Sequence, residues 1–185
     1  MPPTSIPFPT RAAMVTLTTE RLILRPLTLD DTDALLAVWG DAETMRYYPS
    51  TLNREQMVAR IEAQIERYAT GTGQLAVLLR DSGELIGGCG PVWHEVEGVQ
   101  ELEVGYHIRR DHWGRGYAPE AARAVLDHAR VTLQKDDCIS LIRLENYPSR
   151  RAAEKNGAVL EKIVHWRDYD HCVYRYLQAG FSGQR

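Results

Sequence analysis

From Arg109 to Glu120 the chain carries His112-Trp113-Gly114-Arg115-Gly116-Tyr117-Ala118-Pro119 between two flanking charged ends, and this run is suited to hold phosphate. Glycine lets backbone amides approach a ligand closely, and a helix beginning near Tyr117 leaves its first N–H groups unpaired and pointing one way. Gly114, Arg115, Gly116, Tyr117 and Ala118 would then cradle a pyrophosphate. A P-loop would end in Gly-Lys-Ser/Thr, and a dinucleotide fingerprint would add a third spaced glycine; this run has neither. By itself the loop also reads as an ordinary strand-to-helix turn whose glycines serve backbone geometry.

A second segment, 145–158, reads as a capped helix with Asn146 as N-cap, Pro148 in the first turn and Gly157 just past the end. Local physics accounts for those three positions. It does not call for Ser149 or Lys155.

Both segments, in this order, resemble the GNAT acetyltransferase superfamily. The acyl-CoA pyrophosphate loop of that family has the form Gln/Arg-x-x-Gly-x-Gly/Ala, where this chain has Trp113, Gly116 and Ala118, so that Trp113 departs from the pattern. The run from His112 to Ala121 resembles the RimJ/RimL-type branch. Asn146, Ser149, Lys155 and Gly157 match the family's Asn-x-x-Ser/Ala helix and Lys-x-Gly-Phe, with Ala158 where the Phe belongs.

The resemblance implies acetyl-CoA as donor and a cleft between two splayed strands, those at 101–108 and 139–144. Backbone groups around His107 and Ile108 would pair with pantetheine, with Arg115 adding charge to the cradle or remaining a solvated loop residue. Asn146 would bind pantetheine or orient the carbonyl, and Ser149 would hydrogen-bond the departing sulfur. Many members carry a tyrosine seven residues after the helix Asn; here that residue is Ala153. Tyr147 and Tyr174 stand in reserve as acids, and a thiolate of pKa near 8.5 also leaves tolerably by itself.

Amide formation needs a neutral amine, a polarised carbonyl and a proton for the thiolate. Strand alternation puts Glu101, Glu103, Gly105 and His107 on one face, so Glu103 is the first candidate base. A carboxylate is a weak base toward an ammonium and would act through water or a burial-raised pKa. His94 and His107 compete, with ordinary pKa values near 6.5. Carboxylates at 95, 97, 101 and 103 gather acidity that would attract a cationic amine, or they line a solvated hairpin. The Met45–Pro49 segment resembles one that helps shape the acceptor entrance in RimJ/RimL-like proteins, and aromatic packing onto the core explains it equally well. A peptide or protein N-terminus and a small cationic amine both suit as acceptor. The alternative is a CoA-binding regulatory or interaction protein that performs no transfer.

The elements that must position these residues alternate. Arg21–Leu27 reads as a strand, followed by a helix from Thr28 and Asp31 to Trp39. Asn53–Tyr68 reads as an amphipathic helix with Met57, Ile61, Ile65 and Tyr68 in the core. Leu75–Leu79 and Leu85–Trp93 form a hairpin about Asp81-Ser82-Gly83, and Glu101–Ile108 adds a strand. A helix from Tyr117 to Leu133, a strand at 139–144, the Asn146 helix and strands at 159–166 and 172–177 complete an α/β domain. Its sheet is mixed, largely antiparallel and twisted.

At 185 residues the chain suits one compact domain able to bury about 70% of its unfolded surface. We expect a loose tail over 1–13, the domain over 14–180 and a short tail over 181–185, with translation starting at Met1 or Met14. Cys89, Cys138 and Cys172 have no metal-ligand spacing, which favours buried thiols, no metal and a cytoplasmic location. A net charge of −3 argues against nucleic acid, and no apolar run approaches the roughly 20 residues of a membrane span. The terminal strands would offer an edge for a homodimer.

Overall fold

A computed structural model describes residues 15–176; the expected tails over 1–13 and 181–185 lie outside them. Eight strands form one sheet in the order β1-β2-β3-β4-β5-β6-β8-β7. Their spans are β1 Leu17–Thr18, β2 Leu22–Pro26, β3 Leu75–Leu79, β4 Leu85–Val96, β5 Val99–Ile108, β6 Ile139–Arg143, β7 Ala158–Trp166 and β8 Tyr169–Tyr176. Every pairing is antiparallel except β5 with β6. That parallel pair has a single register partner, Glu103 with Ile139, and beyond it the strands part.

The helices are α1 Thr32–Trp39, α2 Arg54–Arg67, α3 Tyr117–Thr132 and α4 Tyr147–Lys155. Alternation along β3 sends Leu75 and Val77 into the core shared with α3, and Ala76 into the core under α1 and α2. The start of α2 is fixed by a reciprocal cap, in which Asn53 Oδ1 accepts from Gln56 N–H and Gln56 Oε1 from Asn53 N–H, both at 2.9 Å. Ile65, expected in the core, is 41% exposed, and Gln64 is buried instead. The N–H of Gln74 explains the exchange, because it donates to Gln64 Oε1 at 2.9 Å and would otherwise be buried unpaired.

Two strand ends differ from the sequence expectation. β4 runs on to Val96 and β5 begins at Val99, because Glu97 (φ 50°) and Gly98 (φ 79°) both take the left-handed conformation of a tight two-residue hairpin turn. This fixes the pairing of β4 with β5, Val92 opposite Glu103 and His94 opposite Glu101. Cys89, Cys138 and Cys172 are free and buried. Among the described residues no helix is long and apolar enough to cross a membrane.

Candidate active site

The gap between β5 and β6 organises the site. Arg109 N–H donates to Ile86 O at 2.7 Å, so by strand alternation the peptide groups of His107 face β4, and those of Tyr106 and Ile108 face the gap. This corrects the expectation for His107, whose backbone is committed to the sheet. The Ile108 carbonyl is also taken, by the Trp113 indole N–H at 2.6 Å. Ser140 Oγ donates to Val104 O at 2.6 Å where the strands still touch.

On one side of the gap lies a cavity of about 560 Å³ whose walls include Gly114, Gly116, Tyr117, Ala118, Trp113 and Ile108. Gly114 (φ 74°) and Gly116 (φ 81°) are left-handed, and a Cβ at Gly114 would meet nothing within 4 Å. Gly116 is the N-cap of α3, and no side chain among the described residues caps that helix. Its first N–H groups are therefore available to an anion. Arg21 braces the cradle: its guanidinium pairs with Glu120 at 2.6 Å, donates to Arg115 O at 2.9 Å and lies over the Tyr117 ring at 4.6 Å. Arg115 itself is exposed and does not line the cavity, whereas Arg46, Arg151 and Lys155 do. Open glycines, an uncapped helix start and three cations suit the pyrophosphate of acetyl-CoA.

Asn146 Oδ1 accepts from Ser149 N–H at 3.3 Å, so Asn146 does cap α4 and keeps its Nδ2 donor for another partner. Tyr106 OH donates to Ser149 O at 2.8 Å, and Ser149 Oγ donates to Tyr106 OH at 3.3 Å. Burial holds the Tyr106 phenol well above its ordinary pKa. Neither reserve tyrosine reaches the gap. Tyr147 is 59% exposed, and Tyr174 is buried, donating to Glu154 at 2.6 Å and accepting from Arg150 at 3.1 Å.

On the other side lies a second cavity, of about 460 Å³, that reaches Glu103 and His94. These two candidate bases are partners, His94 Nε2 standing 2.9 Å from Glu103 Oε2. Glu103 Oε1 accepts from Leu141 N–H at 3.3 Å, using an amide that β5 would have paired had the strands not parted. His107 is a different kind of group. Burial, reinforced by the Arg60 charge, pushes its pKa down to about 3, so it is a neutral ring and a poor base. Both of its nitrogens are buried without a partner among the described residues, and the ring lies 4.8 Å from Trp39 and from Tyr48.

The expected acidity of the hairpin does not reach this cavity. Glu97 pairs with Lys162 and Glu101 with Arg175, both at 2.7 Å, and Glu103 is the one carboxylate in the wall. Sequence reasoning missed Tyr106, Arg21 and the arginines of the second cavity. For Tyr106 the alternation pointed into the core, and only the splay frees its hydroxyl.

Comparison with known proteins agrees with this fold. The acetyltransferase (GNAT) domain family matches residues 21–159. A Bacillus licheniformis protein, the uncharacterized N-acetyltransferase p20, is 32% identical over 169 residues, covering 90% of this chain and 93% of its own. An acetyltransferase from Agrobacterium tumefaciens superposes with a TM-score of 0.77 at 30% identity, over 96% of this chain and 100% of that one. The ribosomal L7/L12 α-N-protein acetyltransferase RimL, solved with coenzyme A, shares the fold at a TM-score of 0.71 and 16% identity, over 88% of this chain and 98% of its own. The chain belongs to the GNAT acetyltransferase family, and the protein is an acyltransferase.

Proposed function

We propose that this protein is a cytoplasmic N-acetyltransferase of the RimJ/RimL-like branch that moves the acetyl group of acetyl-CoA to a primary amine, a peptide α-amine foremost. The observation that carries this reading is the meeting of the two cavities. Tyr47, Tyr48, His107, Asn146 and Ser149 line both of them, so the phosphate cradle and the Glu103–His94 pair open onto one junction.

Acetyl-CoA supplies an activated thioester carbonyl. In our reading Gly114, Gly116, Tyr117 and Ala118 hold its pyrophosphate, and the gap-facing groups of Tyr106 with the N–H of Ile108 hold its pantetheine. Glu103, with His94 beside it, takes a proton from the ammonium, directly or through a water, and the neutral amine then attacks the carbonyl. As the C–N bond forms and the C–S bond breaks, Ser149 Oγ is the donor within reach of the sulfur. Tyr106 holds Ser149 in position through its bond to the Ser149 carbonyl. Neutral His107 seals the junction between the aromatic rings of Trp39 and Tyr48.

The test is calorimetry with acetyl-CoA, desulfo-CoA, ATP and NAD, followed by mass spectrometry of amine panels incubated with acetyl-CoA. We expect binding of the CoA ligands alone and a mass gain of about 42 Da, the acetyl increment, on an amine. Tight CoA binding with no acetylated amine would point to a CoA-binding regulatory protein.

A further inference from the structure

The second cavity has the wrong charge for a cationic acceptor. Arg60, Arg67, Arg143 and Arg167 all line it, and Glu103 is the single carboxylate among its lining residues. Glu103 is already engaged by His94 and by Leu141 N–H. The chain as a whole carries a net charge of −3, so a positive cleft is not a consequence of composition.

These arginines are not neutralised from within: Arg60 donates to Gln74 Oε1 at 2.8 Å, Arg67 to Ala63 O at 3.3 Å and Arg143 to Tyr47 O at 3.4 Å, all neutral acceptors. Among the described residues Arg60, Arg67 and Arg167 make no ion pair, and Arg143 has only Glu145, 3.7 Å from its Nε. Arg143 Nε is buried with no hydrogen-bond partner, an arrangement that is costly unless something completes it. Three of the guanidinium groups lie over aromatic rings: Arg143 3.8 Å over Tyr169, Arg60 5.2 Å over Trp39 and Arg167 4.2 Å over Trp166. A stacked guanidinium keeps its edge free for a carboxylate or phosphate, whose two oxygens match its fork of N–H groups.

We propose that the acceptor amine carries its own anionic group, a carboxylate or a phosphate, held by Arg143 with Arg60 and Arg167 while the amine lies toward Glu103 and His94. The inference rests on the acetyltransferase reading above. It names the class of substrate that site takes: an amine with a negative charge close by. A polyamine or aminoglycoside would meet four arginines against a single carboxylate in the cavity wall.

Matched substrates test it. Dipeptide amides with N-terminal alanine followed by aspartate, phosphoserine, asparagine or lysine, together with phosphoethanolamine and ethanolamine, are assayed with acetyl-CoA on the full chain. We expect kcat/KM for the anionic members to exceed that of the neutral ones by about 10- to 100-fold, the range of a charged hydrogen bond. The ratio of aspartate to phosphoserine substrate, and of phosphoethanolamine to either, separates carboxylate from phosphate and peptide from small molecule. Arg143→Gln should abolish the preference while leaving KM for acetyl-CoA unchanged. Arg167→Gln, at an exposed turn position, should reduce it in the same direction if Arg143→Gln fails to fold. Equal or better turnover of the neutral and cationic members overturns the inference and leaves the acetyltransferase reading standing. If no amine is acetylated, calorimetry with phosphoethanolamine and the aspartate peptide in the presence of desulfo-CoA decides: binding lost in Arg143→Gln supports the anion site and removes the reaction, and no binding overturns the anion site.

Discussion

His94 Nε2 lies 2.9 Å from Glu103 Oε2, with both side chains less than one-fifth exposed. The pair is diagonal across the β4–β5 ladder, since His94 faces Glu101 and Glu103 is two residues further on, the spacing at which long side chains meet. A carboxylate alone is a weak base for an ammonium, and a histidine in contact with it gives the proton a second place to go.

Glu103→Gln should therefore lower kcat/KM for the amine by about 100- to 10,000-fold, the usual range for general-base catalysis. Affinity for acetyl-CoA should stay within about twofold, because Glu103 does not line the cradle cavity. His94→Gln should act in the same direction, and the double variant should lose little more than Glu103→Gln, as members of one unit do. Additive losses in the double variant would mean that the two residues work separately.

Gly116 is held at φ 81°, with Arg21 Nη2 standing 3.4 Å from where its Cβ would be. Gly116→Ala should cost about 1 kcal/mol in stability through the left-handed backbone. Gly116→Asp adds a negative charge to the proposed anion site and should weaken acetyl-CoA binding at least about tenfold beyond the alanine variant. Calorimetry on both variants, with thermal unfolding alongside, separates the two effects. Unchanged acetyl-CoA affinity in Gly116→Asp would remove the loop from cofactor binding.

Much of this is legible in the sequence. The capped helices, the glycine loop and the strand alternation all follow from local rules, whereas the gap that brings the cradle and the Asn146 helix together was implied only by the family resemblance. Glu103 and His94 were each identifiable, but their contact required the hairpin register, which hangs on Glu97 and Gly98 taking left-handed conformations. Glu101 and Glu103 look alike in sequence, and only the approach of Arg175 from β8 neutralises one and spares the other. Arg60, Arg143 and Arg167 lie far apart in the chain, so no local pattern could have gathered them.

His107 gives the pH dependence of stability a definite sign. Its folded pKa, about 3, lies below the roughly 6.5 of an unfolded histidine. Between those values the unfolded chain binds a proton that the folded one refuses, so stability falls as pH drops through that window, and above about pH 6.5 the effect vanishes. The difference between pH 7 and pH 5 is about 2 kcal/mol for a single group of this kind. Urea unfolding at both pH values should show a smaller difference for His107→Leu than for the parent chain. Equal differences would mean that His107 protonates in the folded state.

Ser149 is the remaining donor at the junction, and its hydroxyl is already turned toward Tyr106 at 3.3 Å. A bond of that length is weak and can be exchanged for one to a departing sulfur. A thiolate of pKa near 8.5 also needs little help. Ser149→Ala should therefore lower kcat by no more than about tenfold, far less than Glu103→Gln, and leave KM for the amine unchanged. Tyr106→Phe removes the bond that holds the Ser149 carbonyl, so it should reproduce the Ser149→Ala loss in kcat without adding to it in the double variant. A loss for Tyr106→Phe well beyond that of Ser149→Ala would instead make the buried, fully protonated phenol the proton donor to sulfur.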